Sequence, residues 1–209
     1  MDATLIAAPT TQVPVSMKLL SVPLLCLALL LGGCSEPSQF VSTDISTVNW
    51  GKDFSLADHH GQPRRLADFR GKAVVLFFGY TQCPDVCPTT LSNMTAAMGL
   101  LGEDAKRVQV LFATVDPARD TPELLSHYVP AFHPSFLGLY ADEKGIAAVA
   151  KDFKVFYAKR PGSTPTSYSV DHSTGSYAFD PQGRLRLLIK HGEAPANIAA
   201  DLKRLLADQ

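Results

Sequence analysis

Two cysteines four positions apart, Cys83 and Cys87, stand where one apolar pattern gives way to another, and no other stretch constrains this chain as tightly. Before them, Ala73 to Phe78 is an unbroken apolar run, as in a strand buried on both faces. After them, Leu91, Met94, Met98 and Leu101 recur at helical spacing. The segment Gly79 to Thr90, GYTQCPDVCPTT, therefore reads as a strand-to-helix turn. Pro88 fits the first helical position, which puts Cys87 at the cap and Cys83 in the turn before it. Unpaired N–H groups at a helix start favour negative charge, so both sulfurs are expected to ionise readily. Thiolate is the form that ligates metal or attacks a disulfide.

The other two cysteines belong to a different part of the chain. Residues Met1 to Ser16 carry one charge and no apolar periodicity, whereas Met17-Lys18 followed by Leu19 to Leu31 has the form of a secretory signal starting at Met17. Its apolar run is about a dozen residues, short of the roughly 20 that a spanning helix needs. It closes on Leu31-Gly32-Gly33-Cys34, a lipobox-like sequence, so the expected mature chain begins at an acylated Cys34. Residues 1–34 thus read as a leader and 35–49, polar and rich in Ser and Thr, as a flexible tether. That leaves 50–209 as one domain with a single cysteine pair and no disulfide framework. Nineteen basic against twenty acidic residues give no basic surface for nucleic acid.

Within the domain, Phe54 to Leu56 and Arg65-Leu66 flank a turn-rich stretch holding His59 and His60, an entry hairpin with the histidines facing water. Val108 to Val115 is a second buried strand ending at Asp116-Pro117, and Thr121-Pro122-Glu123 opens a capped helix. A short strand is expected at Leu137 to Tyr140, then a helix capped by Asp142 with Ile146, Val149 and Ala150 inward. Lys159 to Ser169 reads as an exposed loop or hairpin tip. Tyr177 to Phe179 and Leu185 to Ile189 form a hairpin around Asp180-Pro181-Gln182-Gly183, and Ala194 to Ala207 closes the chain as a helix. The expected fold class is α/β: a mixed central sheet with flanking helices and an added hairpin, a thioredoxin-like layout. Ligands in such sheets sit beyond the carboxyl ends of parallel strands, where Cys83, Cys87 and Asp116 all fall.

Cysteines one helical turn apart lie roughly 6 Å apart at their α-carbons, close enough for a disulfide or for two bonds to one ion. Thiolates are soft donors that select copper(I), zinc or iron clusters. Structural zinc wants four protein ligands, and one cysteine pair is half of that. Two sulfurs and an imidazole suit three-coordinate copper(I), with His172 in Val170-Asp171-His172-Ser173 as the third donor. Met94 and Met98 sit at helical spacing and read as core, and His127, His133 and His191 have no partner motif.

Three motifs, CPDVCP at Cys83 to Pro88, DPARDTP at Asp116 to Pro122 and DHS at Asp171 to Ser173, make the chain from about Phe54 to Leu206 resemble the Sco/SenC family. That family consists of copper-binding, thioredoxin-like proteins needed to assemble cytochrome c oxidase. The resemblance implies that Cys83, Cys87 and His172 ligate copper as Cu(I), with Cu(II) as an alternative, and that Asp116, Asp120 and Asp171 support the site. Asp85, between the cysteines, reads as a residue that organises the loop or tunes thiol acidity rather than a ligand. The implied partners are subunit II of the oxidase, a periplasmic copper donor and, through Cys34, a membrane, with the domain in the periplasm of a bacterial envelope. The family's usual transmembrane anchor is replaced here by the lipobox.

The same cysteine pair supports a second role, thiol-disulfide exchange on the cysteines of that partner or in redox signalling. Oxidoreductases commonly space the pair Cys-x-x-Cys, so the extra residue favours metal. Cys87-Pro88-Thr89 also matches the segment around the attacking cysteine of peroxiredoxins, but Pro84 stands where that chemistry needs a hydroxyl.

Overall fold

The computed structural model describes residues 40–164 and 167–207. The leader, Cys34 and Ser35 to Gln39 lie outside the described residues.

The two unbroken apolar runs become the centre of the sheet. Strands β4 (Ala73–Gly79) and β5 (Val108–Thr114) are buried along their whole length and pair in parallel from Ala73↔Val108 to Gly79↔Thr114. Strand β6 (Leu137–Tyr140) adds in parallel to β5. On the other side of β4 run β9 (Ser176–Phe179) and β10 (Leu185–Ile189), the hairpin expected around Asp180. Its turn is held by the buried Asp180, whose Oδ1 accepts the Gln182 and Arg184 N–H groups, and by Gly183 at φ +71°. The entry hairpin, β2 (Leu56–Asp58) and β3 (Pro63–Arg64), pairs through β2 with β6. A two-residue strand β1 (Thr43–Asp44) pairs with β10, giving the order β1-β10-β9-β4-β5-β6-β2-β3.

Helices connect these strands, two of them behind the caps expected at Thr121 and Asp142. Helix α1 (Val86–Leu101) links β4 to β5, and α2 (Pro122–Tyr128) links β5 to β6 behind a Thr121 cap whose hydroxyl accepts the Leu124 N–H. Helix α3 (Glu143–Asp152) starts at Asp142, which accepts the Gly145 N–H, and buries Ile146, Val149 and Ala150. Helix α4 (Pro195–Ala207) packs against α1. Alternation along β4 divides the core. Phe77 and Gly79 face α1, while Phe78 meets Phe153, at the end of α3, with ring centroids 5.5 Å apart.

Strands β7 (Tyr157–Pro161) and β8 (Tyr168–His172) form a separate two-stranded ribbon from the stretch expected to be a loop or hairpin tip. Two readings need correction. Residues 40–49 are not a loose tether: β1 extends the sheet, and the N–H groups of Val41 and Ser42 donate to the buried carboxylate of Asp201 on α4 at 2.9 and 2.7 Å. Polar composition hid this, because the backbone supplies the contacts. Nor does His59 face water; it is 7% exposed, and its Nδ1 accepts the Gly138 N–H at 3.0 Å.

Candidate metal centre

Strand β4 ends at Gly79, and the chain turns there through a Cys83 N–H to Tyr80 carbonyl bond of 3.3 Å. Helix α1 then begins two residues earlier than the proline indicated. Asp85 is the N-cap, without a side-chain cap bond, so Cys87 and Pro88 are the second and third residues of the helix. Proline is tolerated there because N–H groups of the first turn have no helical partner. This register turns Cys87 inward to 0% exposure, while Cys83 in the loop stays half-buried.

Inward placement of Cys87 depends on Gly79. A Cβ at Gly79 would lie 2.8 Å from Cys87 Sγ, 2.8 Å from Phe112 and 2.9 Å from Phe77. No atom fits in that space. Burial pushes the Cys87 thiol up, and the neighbouring Cys83 adds to the rise against a backbone hydrogen bond from Tyr80. The expected ease of ionisation is therefore overturned at Cys87: desolvation outweighs the helix start.

His172 reaches the same place from the end of β8. Its Nε2 lies 3.5 Å from Cys87 Sγ, and its Nδ1 is 2.8 Å from the Ser173 carbonyl. A carbonyl only accepts, so Nδ1 carries the proton and Nε2 presents its lone pair to the sulfurs. Burial lowers the affinity of this imidazole for a second proton. The rings of Phe77 and Tyr80 pack against it at 6.0 and 5.8 Å.

The donor atoms of Cys83, Cys87 and His172 all lie within 4.8 Å of one another, the one group of its kind among the described residues. Bond lengths of about 2.0–2.3 Å would place three donors around one ion roughly 3.5–4 Å apart. The trio needs to close by no more than about 1.3 Å, so two soft sulfurs and one imidazole fit a soft ion in three-coordination.

The acidic residues have other work. Asp116 is fully buried and occupied, accepting the Tyr168 hydroxyl at 2.8 Å on one oxygen and Arg119 Nε on the other. With both oxygens engaged, Asp116 is not one of the grouped donors, although it falls beyond β5. Asp120, also buried, accepts from the Thr81 N–H at 3.0 Å and from the Thr81 and Thr114 hydroxyls at 2.6 Å each. Thus it pins the start of the cysteine loop to the end of β5. Asp85 is exposed and takes a hydrogen bond from Thr89 at 3.2 Å. Asp171 alternates away from His172 on β8 and pairs with Arg160 at 2.7 Å on the exposed face of the ribbon. Sequence reasoning missed Gly79, Thr81, Arg119 and Tyr168. Of these, Gly79, Thr81 and Arg119 lie inside stretches already singled out, but the tertiary contacts of all four leave no mark on local pattern.

Comparison with known proteins places these features in context. The SCO1/SenC family model matches residues 42–207. A mitochondrial SCO2 homologue from Mus musculus is 38% identical over 157 residues, covering 74% of this chain and 62% of that protein. The chain therefore spans about three-fifths of the length of that curated relative. Among solved structures, ScoI of Bradyrhizobium japonicum with copper bound is 37% identical at a TM-score of 0.68, covering 73% of this chain and 97% of that one. Apo Sco1 from Thermus thermophilus is 41% identical at a TM-score of 0.71, covering 83% of this chain and 99% of that one. The likeness of fold bears out the thioredoxin-like reading.

Proposed function

The chain belongs to the SCO1/SenC family, and from that premise we propose that it is a copper metallochaperone whose cargo is held by Cys83, Cys87 and His172. The reading assigns it to maturation of the binuclear copper site of cytochrome c oxidase subunit II, with copper received from a periplasmic donor. One observation carries it: three donors from two distant segments meet within 4.8 Å, with the imidazole lone pair already turned toward the sulfurs. Copper bound in a solved relative, the B. japonicum protein, supports the choice of ion.

The division of exposure suits passage of an ion. Half-buried Cys83 meets an incoming or departing partner first, while Cys87 and His172 hold the ion from inside. The Cys87 S–H now donates toward His172 Nε2, and that proton leaves when both atoms become ligands, so loading releases acid. Attachment to a bacterial membrane through a lipidated Cys34, with the domain in the periplasm, completes the reading. Among the described residues no helix is long and apolar enough to cross a membrane. Copper titration of the reduced protein tests the site. One copper per chain is expected, lost on Cys83→Ser or Cys87→Ser, and full affinity in both variants would sink the assignment.

A second reading, thiol-disulfide exchange on the partner's cysteines, is favoured by the two free thiols lying side by side with one of them reachable. The two readings share Cys83 and Cys87 and part at His172.

A further inference from the structure

No strand pairing with the main sheet fixes the place of His172. Strands β7 and β8 pair only with each other, so no strand ladder joins the ribbon that carries His172 to the eight-stranded sheet, and its imidazole meets that sheet through the Phe78 backbone and the Phe77 ring of β4. Contacts outside the ladder must hold the imidazole 3.5 Å from Cys87. Several of them meet at Arg119, in the turn after β5. Its Nε donates to Asp116, the same carboxylate that accepts the Tyr168 hydroxyl. Its Nη1 donates to Gln82 Oε1 at 3.0 Å and to the Tyr168 carbonyl at 2.9 Å. Gln82 directly precedes Cys83, and Tyr168 opens β8.

Stacking adds to these bonds. The guanidinium carbon lies 3.6 Å from the centre of the Tyr168 ring and 5.6 Å from that of Tyr80, which itself packs edge-on against His172. The Arg119 side chain is 19% exposed, so water competes little for its partners. One planar cation thus joins the turn after β5, the cysteine loop and the ribbon.

We propose that Arg119 is a positioning residue of the metal centre: it fastens the ribbon to the cysteine loop and so sets the distance between the His172 imidazole and the two sulfurs. The proposal deepens the copper reading and rests on it for its metal readout, but not for its readout in the metal-free protein. Lysine is a poor substitute, since a single ammonium cannot bond Asp116, Gln82 and the Tyr168 carbonyl at once or stack flat on the ring.

The test measures amide hydrogen exchange in the metal-free protein, then copper(I) retention against a competing chelator, in wild type, Arg119→Ala, Arg119→Lys, His172→Ala and the Arg119→Ala/His172→Ala double variant. Circular dichroism establishes that each folds, and where the alanine variant does not, Arg119→Lys supplies both readouts in its place. Expected in Arg119→Ala is exchange at least about tenfold faster across β7 and β8, with β4 and β5 unchanged. Copper retention falls about ten- to a hundredfold, as for loss of a group that orients a ligand. Because Arg119 acts through His172, the double variant should hold copper within about twofold of His172→Ala. Wild-type exchange in the ribbon, or losses that multiply in the double variant, would overturn the proposal. A wild-type protein whose copper retention is indifferent to His172→Ala would overturn the copper reading instead, and the exchange data would still decide whether Arg119 fastens the ribbon.

Discussion

Cys87 Sγ and His172 Nε2 lie 3.5 Å apart across 85 residues of sequence, one at the head of α1 and the other at the end of a ribbon outside the main sheet. The first side of that pair is set by packing, since Cys87 lies in the core against a glycine. The second is set by polar ties to the ribbon. Substitutions on the two sides should therefore fail in different ways.

Gly79→Ala tests the packed side. The added methyl would sit 2.8 Å from Cys87 Sγ and from Phe112 in a region with no slack, so the sulfur or the ring must move. Overpacking of this kind costs about 1–3 kcal/mol. Urea denaturation should show that loss, and copper titration should show weakened binding with both cysteines still present. Wild-type stability together with wild-type affinity would mean that Gly79 does not fix the sulfur.

The cysteine loop was legible because an apolar run, two cysteines and a helical period meet at one junction. Its register was not, because the rule that places proline at the first helical position competes with burial of Cys87, and burial shifted Pro88 two positions along. The three ligand candidates were legible only through motifs, as nothing local in Asp171-His172-Ser173 encodes a neighbour 85 residues away. Asp116 was grouped with the cysteines from its position beyond a strand. What decided its role was Arg119 and Tyr168, which only folding brings to it. Residues 40–49 were misread for a related reason: two backbone N–H groups and a sheet edge hold them, and neither depends on side-chain hydrophobicity.

Trimming the chain to begin at Trp50 tests that last point. It removes the β1 pairing with β10 and the Ile45 N–H bond to the Arg186 carbonyl, and it strips two donors from the buried Asp201. A buried acceptor left short of partners costs about 1–3 kcal/mol. The trimmed protein should be less stable in urea by about 2 kcal/mol or more than one beginning at Ser38. Equal midpoints would return residues 40–49 to the status of a tether.

His59 gives a pH signature. Burial, helped by His60, lowers its imidazole below the ordinary value of 6.5, so the folded chain takes up a proton less readily than the unfolded one. Unfolding below that value is then accompanied by proton uptake. Stability should be complete above about pH 7.5 and should fall as pH drops through 6.5, by up to about 1.4 kcal/mol per unit for each such histidine. Burial lowers His172 in the same direction, so two histidines contribute. His59→Asn, whose side-chain oxygen replaces Nδ1 as acceptor for Gly138, should leave the slope of one. An unchanged slope in that variant would remove His59 from the account.

His172→Ala separates copper delivery from thiol reduction. Attack on a disulfide begins with a reachable thiolate, and Cys83 is the more exposed sulfur, so the variant should form mixed disulfides at close to the wild-type rate. Copper(I) left with two thiolates loses a donor and is more easily stripped, and retention against a chelator should fall at least about tenfold. In cells the two properties divide. With copper scarce, His172→Ala should fail to support cytochrome c oxidase, and added copper should restore part of the activity, because the thiol chemistry persists. Cys83→Ser should fail under both conditions, having lost a ligand and the attacking sulfur together. If His172→Ala instead supports normal oxidase assembly at low copper while Cys83→Ser does not, copper carriage is not the essential role, and thiol-disulfide exchange takes its place.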